Sequence, residues 1–373
     1  MKIAFNDLNA QWKIIKDECV AGFDDLFERS SFILGNYVGE FESDFAKYIG
    51  CKYAAGVSNG TDALKLAAQS LDLKGSTCYA IPAYTFIASL MGVEQAHPDA
   101  AFNLIDCDEY YQLDVNALEN FVSDNRKSYE NMVIVPVHLY GYTCNMDKIM
   151  QIAEKYNCRV LEDTSQAHGA KWRNKTAGSF GDVSAFSLYP GKNLGAAGDA
   201  GIITTNNSKI YERLLKLRNL GSAKKYVHDI KGGNHRLDTI QAIVLKEKIK
   251  YIEEWNEMRR QIVSKYESMI KNENIILPKN PKNCIPVHHV YPVRVKEREQ
   301  FTDYLTKNEV QWGMHYPICI EEMPMYSHLS KPNKNSLYYG KEVVSLPIHP
   351  FMKAEEVDYL CDVLNKYKNY ERK

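Results

Sequence analysis

An α/β protein of two domains is what this sequence predicts, and three observations predict it. From Ser58 to Thr205, short apolar runs alternate with helical patterns, the signature of a mostly parallel sheet wrapped by helices. A chain of 373 residues, 45% of them hydrophobic, is long enough for two cores. Beyond a long helical pattern that ends at Met269, strands and helices mix as in an α+β unit. The boundary is placed after residue 245, giving a large domain of residues 1–245 and a small C-terminal α+β domain of residues 246–373.

The elements follow in order. Ala63, Leu64, Ala67, Ala68 and Leu71 recur at helical spacing, so a helix starts after Gly60 with Asn59 and Thr61 at its N-terminus. Met132 to Val137 reads as a buried strand, Arg159 to Leu161 as another that ends in Glu162 and Asp163, and Val183 to Leu188 as a third. In open α/β sheets, ligands sit beyond the carboxyl ends of the strands, where such polar residues project. Ile249, Ile252, Trp255, Ile262, Val263 and Tyr266 predict one long helix from Lys246 to Met269 that bridges to the small domain. There, alternation over Val287 to Val295, a helix at Arg298 to Thr306, a strand at Val310 to Tyr316 and a last helix from Ala354 to Tyr367 complete the unit, with Lys331 to Lys341 read as a loop.

Composition narrows the function classes. The chain carries 46 basic and 47 acidic residues, a net charge of -1, so no global field draws it to nucleic acid or to an anionic membrane. Met1 to Asn9 lacks the basic segment and apolar core of a signal peptide, and no apolar run approaches the ~20 residues of a membrane span. The nine cysteines are scattered and never form Cys-x-x-Cys, which points to reduced thiols in the cytoplasm and to no metal site. The His288-His289 pair reads as a strand feature.

The most informative stretch runs from Ser184 to Gly201, a strand that breaks at Pro190 and Gly191 and presents Lys192 in a glycine-rich turn. A solvated loop lysine is the ordinary reading. A phosphate-binding loop fails twice, because Phe186 stands where that motif needs glycine and Asn193 where it needs Ser or Thr. A third reading makes Lys192 a Schiff-base lysine, whose amine must lose its proton before it condenses with an aldehyde.

The other parts of a pyridoxal site stand in chain order. Asp163 closes a strand where a carboxylate can keep a pyridinium nitrogen protonated, though alone it reads as a turn residue. Phe86 can stack on a ring, or simply fill the core. The helix start at Asn59-Gly60-Thr61 offers backbone N–H groups and a hydroxyl to a phosphate, or is an ordinary cap.

With these segments in view, the sequence resembles the sugar aminotransferases named after DegT, DnrJ and StrS, within fold type I of pyridoxal enzymes. The resemblance covers nearly the whole chain. It rests on Asn59-Gly-Thr-Asp-Ala-Leu64, Pro82-Ala-Tyr-Thr-Phe86, Glu162-Asp163 with Gln166-Ala-His168, Ser187-Leu-Tyr-Pro-Gly-Lys192-Asn-Leu-Gly, Asn234 with Arg236-Leu-Asp238, and His315-Tyr-Pro317. It implies an aspartate aminotransferase-like large domain with a seven-stranded, mostly parallel sheet. It also implies pyridoxal 5′-phosphate as cofactor, held by Lys192 as the catalytic lysine. Asp163 would pair with the ring nitrogen, Gln166 would lie near the phenolic oxygen, Phe86 would stack on the ring, and Gly60, Thr61 and Ser187 would hold the phosphate. Asn234 matches an asparagine that the family sends across a homodimer interface to the neighbouring phosphate. Thr164-Ser165 and Leu220 depart from the family pattern.

The resemblance further implies that glutamate gives its amino group to the cofactor, which then aminates a keto sugar carried on a nucleoside diphosphate, dTDP or UDP. The motifs are most similar to enzymes that aminate carbon 3 of a 6-deoxy hexose, with carbon 4 as the alternative. Tyr189, His315 and Tyr316 are the candidate sugar contacts. A sugar dehydratase of the same fold would replace Lys192, typically by histidine, and a non-catalytic sensor would have no use for the full set of groups.

Overall fold

The structure, a computed structural model, describes residues 1–329 and 333–368. Helices α1 (Leu8–Arg29) and α2 (Asn36–Ile49) lead into a central sheet of seven strands: β1 (Tyr53–Val57), β2 (Thr77–Pro82), β3 (Ala101–Ile105), β4 (Asn131–Ile134), β5 (Arg159–Asp163), β6 (Val183–Ser187) and β7 (Gly201–Thr205). Their order is β1-β7-β6-β5-β4-β2-β3. Only β7 runs against its neighbours, pairing antiparallel with both β1 and β6. The mostly parallel seven-stranded sheet is therefore present, and the ends of β1, β2, β5 and β6 all lie on one side, where β7 begins.

The helices between the strands are α3 (Gly60–Ser70), α4 (Ala88–Ala96), α5 (Val115–Asn125), α6 (Met146–Tyr156) and α7 (Ser208–Leu217). One core joins α3, α4 and α7 to side chains such as Ala55, Tyr79, Val133 and Leu161. Leu118, Val122, Ile149 and Ile152 of α5 and α6 pack with Cys78, Met132 and Val160, the alternate residues of the same strands. A sheet buried on both faces explains why its strands read as continuous apolar runs.

The remaining helices are α8 (Thr239–Lys248), α9 (Ile252–Met269), α10 (Arg298–Lys307), α11 (Lys334–Glu342) and α12 (Ala354–Lys366), with a two-stranded pair formed by β8 (Tyr291–Arg294) and β9 (Val343–Leu346). Ile3 joins Val263, Tyr266, Val293, Phe301 and Leu360 in a separate C-terminal core.

Several predicted boundaries are corrected. The single helix from Lys246 to Met269 is two helices, joined by a 3-10 turn at Ile249–Tyr251. The break lets α8 bury Ala242 and Leu245 with Phe41, Phe186 and Ile202 while Ile262, Val263 and Tyr266 of α9 enter the other core. The strand predicted to reach Val137 stops at Ile134, since Pro136 has no N–H for the ladder. The predicted strand Val310 to Tyr316 makes only isolated bridges at Val310 and Gly313, to Ile3 and Ser345. His288, with φ of 42°, breaks the extended run from Val287, so the strand begins at Tyr291. Lys331 lies outside the described residues, but from Lys334 the predicted loop is α11. Its cap comes from a distant part of the chain: Asp106 accepts the N–H groups of Asn335 and Ser336 at 3.0 and 2.9 Å.

No helix among the described residues is long and apolar enough to cross a membrane.

Candidate active site

The loop between β6 and β7 carries Lys192 and closes on itself. Leu188 N–H donates to Ala200 O, Ala196 N–H to Leu188 O, and Lys192 N–H to Tyr189 O, each at 2.8 Å. Gly195 allows the tight return, because a Cβ there would stand 2.3 Å from Pro190 O. Burial pushes the Lys192 amine down to about 8, partly opposed by the Asp163 carboxylate. Among the described residues Nζ has no hydrogen-bond partner. A partly buried lysine whose charge one carboxylate offsets only in part gives up its proton at a lower pH than an exposed lysine.

Asp163, only 4% exposed, ends β5. Its Oδ2 accepts from Ser89 Oγ at 2.7 Å and its Oδ1 from Ser165 N–H at 3.1 Å, while the hydroxyls of Thr85 and Ser89 meet at 2.9 Å. Glu162 is just as buried but has a different task. It accepts the N–H groups of Gly178, Phe180 and Gly181 at 2.8 Å each and His138 Nε2 at 3.0 Å. Cys144 N–H donates to His138 Nδ1 at 3.1 Å, which places the imidazole proton on Nε2. Burial alone would raise the Glu162 carboxyl, but His138 and these amides more than offset it and hold it below its ordinary range. Glu162 therefore anchors the strand end from which Asp163 faces the lysine.

Gln166 Oε1 accepts Tyr140 N–H at 2.7 Å, and its Nε2 donates to Tyr316 Oη at 3.1 Å. The Phe86 ring, half-exposed, lies 5.4 Å from that of Tyr316. Tyr84 Oη donates to Tyr316 O at 3.1 Å and accepts its N–H at 3.0 Å, and Tyr140 Oη donates to His315 O. These tyrosines fasten His315 and Tyr316 to the strand ends. His315 pairs through Nδ1 with Ser345 Oγ at 2.9 Å, and burial, followed by the charge of Lys192, lowers it to about 4, so it is neutral.

At the start of α3, Asn59 Oδ1 takes Asp62 N–H and Asn59 O takes Ala63 N–H. The first-turn N–H groups of Gly60 and Thr61 have no acceptor among the described residues, as an anion site requires. A Cβ on Gly60 would lie 2.5 Å from Ser187 Cβ, so only glycine lets the helix start reach the end of β6.

The structure thus gathers Lys192, Asp163, Gln166, Phe86, His315 and Tyr316, and packs Gly60 and Thr61 beside Ser187. It leaves two predicted residues outside this network. Tyr189, beside the lysine, is 58% exposed, and Asn234 is an exposed residue paired with Asn219. Residues that the sequence reading missed are Thr85 and Ser89, whose i,i+4 spacing was a faint signal, and Tyr84, Tyr140, Asn193 and His289, which gave none.

The donor set fits a phosphorylated pyridine aldehyde. A partly buried, unpaired amine can hold the aldehyde, a carboxylate with lone pairs to spare can meet the ring nitrogen, and a half-exposed aromatic face can cover the ring. The open helix start can take the phosphate. Among the described residues no group of three or more His, Cys, Asp or Glu is placed to hold a metal ion.

Sheet order, reversed β7 and a partly buried lysine of lowered basicity in the β6–β7 loop define an enzyme of the aspartate aminotransferase-like class, fold type I. The chain belongs to the DegT/DnrJ/EryC1/StrS aminotransferase family, whose profile matches residues 13–365. It is similar to dTDP-3-amino-3,6-dideoxy-alpha-D-galactopyranose transaminase of Aneurinibacillus thermoaerophilus, 41% identical over 98% of this chain and 99% of that one. It is also similar to a UDP-N-acetyl-3-dehydro-alpha-D-glucosamine 3-aminotransferase of Acidithiobacillus ferrooxidans, 32% identical over 96% of each. Among solved structures, DesV of S. venezuelae superposes with a TM-score of 0.92 at 31% identity, covering 98% of both chains.

Proposed function

We propose that the protein moves the amino group of L-glutamate to carbon 3 of a keto-6-deoxy hexose carried on dTDP or UDP, using pyridoxal 5′-phosphate. The observation that carries this reading is the Lys192 amine, partly buried, unpaired and lowered to about 8 at the strand ends with Asp163. The relatives named above support the nucleotide sugar and the carbon.

Pyridoxal 5′-phosphate, when bound, supplies an aldehyde for the amino group and an electron-withdrawing ring that stabilises the charge left by a departing proton. The protein's own groups do the rest. Lys192 Nζ takes the proton from the α-carbon of glutamate, which it can do only as the free amine. Asp163 keeps a proton on the ring nitrogen, and Ser89 and Ser165 fix the carboxylate that does so. Gln166 donates toward the phenolic oxygen, and Phe86 covers the ring and excludes water from it. Gly60, Thr61 and Ser187 hold the phosphate. Tyr189, His315 and Tyr316 offer hydrogen bonds to the sugar, with His315 acting as a neutral imidazole.

We further assign a homodimer in which Asn234 reaches the neighbouring phosphate. Phe27, Phe32, Ile33, Leu34, Leu220 and Ile240 are exposed, and several lie around the segment that carries Asn234. Ile33 bridges Asp238, Phe32 O accepts Thr239 N–H, and Leu220 N–H donates to Gly233 O. Exposed large apolar side chains gathered along these segments support a surface that another chain covers. All nine cysteines are free thiols, which supports a reducing compartment, the cytoplasm.

The test is a panel of dTDP- and UDP-linked sugars with ketones at carbon 3 or carbon 4, offered with glutamate. Product mass and the amine position by NMR give the answer. Turnover of carbon-4 ketones alone would overturn the assigned carbon, and no turnover of any keto sugar would overturn the substrate class.

A further inference from the structure

The turn that presents Lys192 is bolted from behind. Asn193 is 2% exposed, and its Nδ2 donates at 2.9 Å both to Val287 O and to Asn256 Oδ1. A backbone carbonyl can only accept, so Val287 O fixes which end of the Asn193 amide is nitrogen. Oδ1 is therefore the acceptor facing His289 Nδ1 at 3.2 Å, and His289 must carry its proton on Nδ1. Asn256, fully buried on α9, passes the chain onward by donating to His168 O at 2.9 Å. From the other side, Lys248 at the end of α8 donates Nζ to Gly195 O at 2.7 Å.

We propose that Asn193, locked between Asn256, Val287 and His289, is the positioning residue that holds the Lys192 amine in its partly buried place at the strand ends. The proposal rests on the reading of Lys192 as the condensing amine. Asn193 spends both N–H groups and a lone pair on segments that belong to α9 and to residues 287–289. The loop is closed at its base by the backbone bond from Leu188 to Ala200, but among the described residues no other side chain within it hydrogen-bonds to those segments. Burial is the largest cause of the lowered amine, so a turn that swings toward water returns Lys192 toward an ordinary lysine. The 3-10 turn between α8 and α9 places Lys248 and Asn256 to grip the loop at two points.

Acylation of the full-length, cofactor-free chain across neutral and alkaline pH, read at Lys192 by peptide mass spectrometry, measures the amine directly. The wild-type midpoint is expected at about 8. Asn193→Ala is expected to move it up by a pH unit or more, toward 10.5, leaving about tenfold less free amine at neutral pH. His289→Asn keeps an N–H at the place of Nδ1 and holds the midpoint, whereas His289→Phe leaves Asn193 Oδ1 unpaired and raises it. An unchanged midpoint in a folded Asn193→Ala chain overturns the proposal while the reading of Lys192 stands. If that variant does not fold, the His289 pair decides, and equal midpoints for the two overturn it. A wild-type midpoint near 10.5 removes the reading of Lys192 and the proposal with it.

Discussion

Gly60→Ala tests the proposed phosphate site at the start of α3 apart from the chemistry. An added Cβ would sit 2.5 Å from Ser187 Cβ and 3.0 Å from Ser187 Oγ. Ordinary carbon contacts lie at about 3.5–4.0 Å, so the start of α3 must retreat from the end of β6 by about 1 Å. A hydrogen bond lengthened that much is lost, and one to a charged phosphate is worth about 1.5–3 kcal/mol. Binding of pyridoxal phosphate should weaken roughly 10- to 150-fold for each bond lost. Gly39→Ala is the built-in control, since a Cβ there meets nothing within 4 Å. That change in a helix interior should stabilise by up to about 1 kcal/mol and leave cofactor affinity alone. Equilibrium dialysis against the cofactor gives the affinities, and thermal melts verify folding. Wild-type affinity in a folded Gly60→Ala protein would show that the phosphate does not sit at this helix start.

Other outcomes follow from the same geometry. Cofactor capture by the apo-protein should accelerate about tenfold per pH unit up to about 8 and then level off, because the lowered Lys192 amine is free above that value; a rate that still climbs past pH 10 in stopped-flow absorbance would contradict it. Asp163→Asn should retain cofactor but slow the half-reaction with glutamate on the order of 100-fold or more, and a loss of a few-fold in single-turnover kinetics would assign the proton to another acid. Glu162→Gln puts an amide among four donors and should cost at least about 3 kcal/mol in denaturant unfolding; a neutral result would mean the network rearranges freely. Mixing Lys192→Ala chains with chains inactivated at Asn234 should restore activity in hybrid dimers. Hybrids proven by native mass spectrometry yet inactive would place Asn234 in its own chain's site or in none.

What was legible in the sequence was what local patterning encodes. The strand ending at Asp163 and the glycine-rich turn at Lys192 show in short windows, and so does the helix start at Gly60, because each is built from neighbours in the chain. Contacts between distant segments were not legible. The cap of α11 comes from Asp106, and the support of Asp163 comes from Ser89 on another strand's connection. The pair His288-His289 read as a strand feature, yet His288 interrupts the extended run and His289 meets Asn193. The long helical period through Ile249 and Ile252 continued across a 3-10 turn, because periodicity registers which residues are apolar and is blind to which of two cores they enter.

The reversed strand β7 also sets an order of events on the ribosome. β6 and β7 are sequence neighbours and can pair as soon as both emerge, but β1, the earliest strand made, joins the sheet only through β7. Until Gly201–Thr205 has left the exit tunnel, β1 and the helix start behind it have no place beside Ser187. A nascent chain stopped before Gly201 holds Asp163 and Lys192 without the start of α3 seated beside Ser187, and long-range pairing of this kind is the slow part of folding. Stalled chains of increasing length should therefore seat the start of α3 beside Ser187 in a single step once β7 is free, ahead of the later segments that lock the Lys192 turn.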